Sequence, residues 1–192
     1  MNKVIKISIL SLFVIGAFAS CGDNKKPDRP EEMAKEQNEA NLKDRPEEED
    51  NSELLVDIIH TQLYEVELGK TGKEHGTNSK IKEFANEIES SHQKRLDKLY
   101  ALASDYKYAV PSNLSDLQWN DVKKLSDKKS KDFDQKWLNE VISTHNKAVD
   151  NLVKGIEDVN DAKMKEELNA TLQEVRVHLE SATQLQNYLF KK

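Results

Sequence analysis

Three histidines, His92, His145 and His178, fall on the apolar stripes of helical stretches, where their ring nitrogens would face a dry interior. His92 shares helical spacing with Ala85, Ile88 and Leu99. His145 lies among Val141, Ala148 and Val149, and His178 among Val175, Leu179 and Ala182. Glu89 sits three residues before His92, giving a Glu-x-x-His pair on one helix face. Helical bundles that bind metals in their cores present ligands in this way. Glu65 shares a face with Ile58, Leu68 and Gly69, and Glu174 lies four residues before His178. Imidazoles and carboxylates in such a core can ligate iron, zinc or copper. The candidate ligand set is therefore Glu65, Glu89, His92, His145, Glu174 and His178. The same groups could instead satisfy one another by hydrogen bonds with no ion, because a buried carboxylate needs only some partner.

To act together, these residues need four helices that bring them to one height. From Asn51 onward the hydrophobic period is helical throughout. A first helix is expected from near Ser52, ending in Gly72-Lys73-Glu74-His75-Gly76, where two glycines permit a turn. A second starts with Asn78 or Ser79 as its cap and ends before Pro111. A third runs from near Asp132 to Glu157, and a fourth follows the turn Asp158-Val159-Asn160-Asp161. Between the second and third lies a long connection, Tyr108 to Lys131. It carries a short helix around Asp116 to Leu125, whose Leu117, Val122 and Leu125 should cover one end of the core. Counting from the turns, Glu65 and His92 differ in height by about 5 Å, less than one helical turn. His145 and Glu174 match as well, with His178 one turn further on. Two tight hairpins joined by one long link predict an all-α, ferritin-like four-helix bundle over residues 51–192, with the link crossing it.

The chain has 192 residues, of which 33% are charged, with 6 Gly and 4 Pro, a composition that suits one helix-rich domain. A formal charge of -6 and the absence of a basic patch exclude nucleic acid as a partner. The N-terminus differs from the rest. Lys3 and Lys6 precede an apolar run from Ile7 to Phe18 that is too short to span a bilayer, and Ala19-Ser20 supply small residues for cleavage. Residues 1–20 are thus expected to be a secretory signal. The single cysteine, Cys21, follows directly, and Phe18-Ala19-Ser20-Cys21 resembles a bacterial lipobox with Phe in place of the usual Leu. That resemblance implies lipidation of Cys21 and a membrane partner reached through the lipid, since two or more acyl chains anchor firmly. No disulfide is then available. Gly22 to Asp50 is acidic and poor in large apolar residues, so residues 21–50 are expected to be a lipidated cysteine and a disordered tether. Within it Asp28-Arg29-Pro30-Glu31-Glu32 recurs as Asp44-Arg45-Pro46-Glu47-Glu48. Gly22, rather than Asp, follows Cys21, which in similarity to other Gram-negative lipoproteins leans towards the outer membrane.

Several short pieces together resemble the ferritin-like bacterial envelope proteins of unknown function that are labelled predicted outer-membrane proteins. They are Glu65-Val66-Glu67-Leu68-Gly69, Ile81-Lys82-Glu83-Phe84-Ala85, His92, Val110-Pro111, Phe133-Asp134 with Trp137, His145-Asn146-Lys147-Ala148-Val149, and His178-Leu179. The resemblance covers about Leu54 to Leu185. It implies a four-helix ferritin-like domain in the cell envelope and brings no established activity. The chain departs from di-iron ferritins in offering His145 where they use Glu, and in spacing Glu174 and His178 one residue too far apart. Ser91 also replaces an Asp common in the family. Nucleophilic hydrolysis is excluded by the lack of a Ser-His-acid spacing or glycine elbow. Two functions remain. One is a lipid-anchored, non-catalytic domain that binds a metal, an envelope protein or a second copy of itself. The other is a metal-dependent oxidase or metal-storage protein of the ferritin-like type. His60 and His75 are expected at the surface or at helix ends, and Trp119, Trp137, Tyr100 and Tyr106 in core and lid.

Overall fold

Helix-favouring stretches separated by Pro, Gly and Asn produce six α-helices and no strand among the described residues. In this computed structural model the described residues are 28–128 and 130–190. The helices are α1 (Pro30–Leu42), α2 (Pro46–His75), α3 (Ser79–Tyr106), α4 (Asp116–Ser126), α5 (Ser130–Asp158) and α6 (Ala162–Phe190). The four expected bundle helices are α2, α3, α5 and α6, and α4 is the expected short helix of the link. Local chemistry sets their ends. Asn78 caps α3 by accepting from Lys80 N–H at 2.9 Å, and α3 stops at Lys107, whose φ of 60° is left-handed. Ser115 and Gln118 form a reciprocal capping box on α4. Asp134 of α5 accepts from the backbone N–H groups of Thr77 and Asn78, at 2.8 and 3.1 Å, and so ties α5 to the α2–α3 turn.

The connectivity is that of a crossover bundle. The start of α2 lies beside the end of α5, where Asn160 donates to Glu47 at 3.0 Å. The end of α2 lies beside the start of α5, with the His75 and Phe133 rings 5.7 Å apart. α3 ends where α5 also ends, since Tyr106 hydrogen-bonds Asp161 just past α5. The chain must therefore travel the bundle's length between α3 and α5, and α4 lies on that path. On it Val122 and Leu125 are buried, whereas Leu117 and Trp119 stand exposed, contrary to the expected covering role of Leu117.

Two glycines of α2 permit close packing. A Cβ at Gly69 would lie 2.5 Å from the Glu89 backbone nitrogen, so α2 and α3 touch backbone to backbone there. A Cβ at Gly72 would lie 2.5 Å from the Trp137 ring, and fully buried Trp137 donates its N–H to Leu68 O at 2.8 Å.

The N-terminal region corrects the sequence reading. Gly22 to Asp50 was expected to be a disordered tether, yet α1 occupies Pro30–Leu42 and α2 begins six residues before Ser52, at Pro46. The short repeat is a helix start used twice: Pro30 and Pro46 stand in the first turn, acids follow them, and Arg29 and Arg45 pair with Glu32 and Glu48. α1 docks on a narrow stripe, Ala34, Asn38 and Leu42, spaced four apart. The Asn38 side chain replaces missing apolar area with hydrogen bonds, donating to Ala109 O at 2.8 Å and accepting from Ala109 N–H at 2.7 Å. The expected signal segment 1–20, Cys21 and tether residues 22–27 lie outside the described residues, and no helix among the described residues is long and apolar enough to cross a membrane.

Candidate metal centre

The interior holds two apolar clusters, one towards each end of the bundle. On every bundle helix a polar residue marks the boundary between them. On α3, His92 separates Ile88 from Leu96; on α5, His145 separates Val141 from Ala148; on α6, His178 separates Val175 from Ala182. On α2 the boundary is held by Gln62 and Glu65, each 1% exposed.

The three imidazoles converge. His92 Nε2 lies 3.3 Å from His145 Nε2 and 3.1 Å from His178 Nδ1. All three facing nitrogens lie within 4.8 Å of one another. Their other ring nitrogens are held by acceptors, and this fixes the tautomers. His92 Nδ1–H donates to Gln62 Oε1 at 2.8 Å, and His145 Nδ1–H donates to Val141 O at 2.9 Å. Ser91 spends its only proton on Glu87 O at 2.7 Å, so it accepts from His178 Nε2–H at 3.1 Å. Every nitrogen that faces inward therefore carries a lone pair. Lone pairs this close repel unless a cation sits among them. Zinc–nitrogen bonds of about 2.0–2.1 Å in tetrahedral geometry set ligand nitrogens about 3.3 Å apart, close to the two spacings from His92 Nε2.

Protons are a poor choice of cation in this place. Burial pulls His92 well below the ordinary imidazole range, with His145, His178 and Arg95 adding repulsion. Burial, and then His145, bring His178 down to about 4. Phe84 closes the site with its ring edge-on to His178, centroids 6.4 Å apart.

Glu65 brings a carboxyl group to the cluster. Its Oε1 lies 3.1 Å from His145 Nδ1, but that N–H is aligned with Val141 O, and neither Glu65 oxygen makes a hydrogen bond. Val141 O is the outer-shell acceptor that orients the His145 ring, and a carboxylate this close to a ligating histidine would offset the charge of a bound cation. Replacing Glu65 with Leu should therefore move two readouts in opposite directions. Without metal, removing an unpartnered buried carboxylate should stabilise the bundle by about 1–3 kcal/mol in denaturant unfolding. Zinc affinity should fall roughly 10–100-fold by titration. A destabilised metal-free chain with unchanged zinc affinity would show that Glu65 plays no such part.

Glu89 and Glu174 do not join the cluster. The contact of Gly69 with the Glu89 backbone leaves its side chain only the outer edge of the α2–α3 seam, where it pairs with Lys73 at 2.6 Å. Glu174 pairs with Arg95 at 3.1 Å, and Arg95 also holds Glu167 at 3.0 Å across the α3–α6 seam. Arg95, Ser91 and the Val141 carbonyl were missed as parts of the site. Arg95 had a signal, an Arg three residues after His92 facing acids seven apart on α6. His75 ends α2 as expected, whereas His60 is part-buried beside Glu31 at 3.5 Å, and burial lowers its pKa.

Residues 32–185 match the family described as a domain of unknown function, DUF4142. The chain belongs to that family. DUF4142 here includes most of α1, so the family's domain reaches into the stretch expected to be tether. The fold is similar to the crystal structure of a DUF305 fragment from Deinococcus radiodurans, with a TM-score of 0.65 over 73% of this chain and 97% of that one. At 11% identity this likeness concerns the fold alone, an all-α ferritin-like bundle. None of the curated proteins matches the chain.

Proposed function

We propose that this DUF4142 protein is a lipid-anchored protein of the bacterial envelope whose bundle binds a single late first-row metal ion, such as zinc or copper, through His92, His145 and His178, in a non-catalytic role. The observation that carries the metal reading is the convergence of three imidazole lone pairs, each fixed by an acceptor on the far side of its ring. All-imidazole donors suit zinc and copper, and among the described residues no thiolate or hard oxygen cage competes. The alternative, an oxidase or storage site of the di-iron kind, requires carboxylate ligands. Glu89 and Glu174 are engaged by Lys73 and Arg95 instead. Support for the anchor comes from the sequence alone, an apolar run ending in Phe18-Ala19-Ser20-Cys21.

One preparation tests both halves. The full chain, produced in a Gram-negative host, is expected in the outer-membrane fraction and to carry one zinc or copper ion per chain on elemental analysis. Cys21→Ala should release it from membranes while keeping the ion. A chain that stays with membranes after that change and a salt wash counts against the anchor. A metal-free chain that takes up neither ion on titration counts against the centre.

A further inference from the structure

We infer, resting on the three-histidine reading above, that cations reach the centre through an acidic cleft between α2 and α5 that ends at Gln62. The cleft has a volume of about 620 Å³. Its α2 wall presents Glu47, Asp50, Glu53 and Asp57 on successive turns, and its α5 wall ends in Asp158, against one lining base, Lys154. Asp57 is paired with Lys35 of α1 at 2.6 Å. Among the described residues Asp50, Glu53 and Asp158 form no ion pair.

Acids on two helix faces would by themselves be an ordinary solvated surface. Two further observations tie this cleft to a ligand. The lining residues that come nearest the polar layer along their helices are Gln62 on α2 and Ala148 on α5, each three residues from a member of that layer, Glu65 and His145. Gln62 is 1% exposed, lines the cleft, and accepts from His92 Nδ1–H at 2.8 Å, so the cleft's floor is bonded to the centre itself. Three residues further along α2 and beside His145 is Glu65, also 1% exposed, with neither oxygen hydrogen-bonded. A cation moving inward thus passes from solvated carboxylates to a buried amide and then to a buried carboxylate beside the imidazoles. Between two low-dielectric helix walls, such charges focus the field and raise cation arrival rates.

The test follows cobalt(II) binding to the metal-free full chain in detergent, by stopped-flow of its visible ligand-field band. The wild-type association rate should fall steeply with added salt. The triple variant Asp50→Asn, Glu53→Gln, Asp158→Asn should bind roughly tenfold more slowly at low salt, with little remaining salt dependence and the same final spectrum. A control triple on other faces, Glu83→Gln, Glu166→Gln, Glu180→Gln, should match wild type. Equal rates in the two triples overturn the route and leave the centre standing. A wild-type chain that develops no band overturns the histidine centre, and the route with it. Should the charge variant fail to fold by circular dichroism, Asn151→Trp decides alone: this plug leaves the charge untouched and should also slow binding, and an unchanged rate overturns the route.

Discussion

Saturating zinc is expected to raise the melting temperature of the full chain by about 5–10 °C, and His92→Ala to erase that increment. An ion bound only by the folded state stabilises it by about 2.7 kcal/mol at a hundredfold excess over its dissociation constant. In a chain of this size each kcal/mol is worth about 2–4 °C. His92 is the decisive residue because both short contacts of the cluster run through its Nε2, at 3.1 and 3.3 Å. Without it, His145 and His178 lose their common neighbour, and two imidazoles hold an ion weakly. The comparison is made with and without zinc inside each variant, so any cavity left by the alanine cancels. His75→Ala, at the helix end, should keep the full increment. If wild type ignores both zinc and copper, or His92→Ala still responds to zinc, the centre is not the one described.

Acid should destabilise the metal-free bundle by about 3 kcal/mol or more as the pH falls from about 6.5 to 4. The fold holds His178 at about 4, against an ordinary 6.5, because burial penalises its charged form. The unfolded chain therefore binds the proton first. Stability is full above about pH 6.5, declines as the pH drops through the window, and takes no further loss from this group below about 4. A shift of that size corresponds to about 3 kcal/mol, and His92, lowered in the same direction by burial, adds to it. Carboxylate titration begins near the bottom of the window, so the diagnostic quantity is the difference between wild type and His178→Gln. The variant should lose less stability between pH 6.5 and 4.5 in urea unfolding. Parallel curves for the two proteins would remove His178 as the cause.

The bundle was legible because its signals are local. Period, caps and turn residues placed the cap of α3 at Asn78 or Ser79 and the short α4 around Asp116 to Leu125, and the structure has Asn78 as that cap and α4 at Asp116–Ser126. The long link forced the crossover. Three of the proposed ligands were legible for a similar reason: a histidine in an apolar stripe at a countable distance from a turn must meet whatever lies opposite. Glu89 failed because the spacing rule Glu-x-x-His says nothing about how closely a neighbouring helix approaches. Gly69 lets α2 lie against the Glu89 backbone, and the side chain has only the rim left. Glu174 failed because Arg95, a long-range partner, claims it. α1 was missed because Asn38 docks by hydrogen bonds to the Ala109 backbone, which no count of apolar residues registers.

The layer that divides the two apolar clusters also fixes how the helices align along their axes. Much of both clusters is aliphatic, and over those stretches a helix shifted by one turn, about 5.4 Å, would still find Leu, Ile and Val opposite it. A shift of α3 against α2, or of α6 against α3, would however carry His92 or His178 into hydrocarbon, away from Gln62 or Ser91, stranding the imidazole N–H without an acceptor. One polar residue in an apolar seam sets register in coiled coils by the same penalty. His92 and His178 thus act as alignment pins whether or not an ion is bound. For that reason, replacing all three with leucine should yield a bundle that is tighter by burial yet freer to slide.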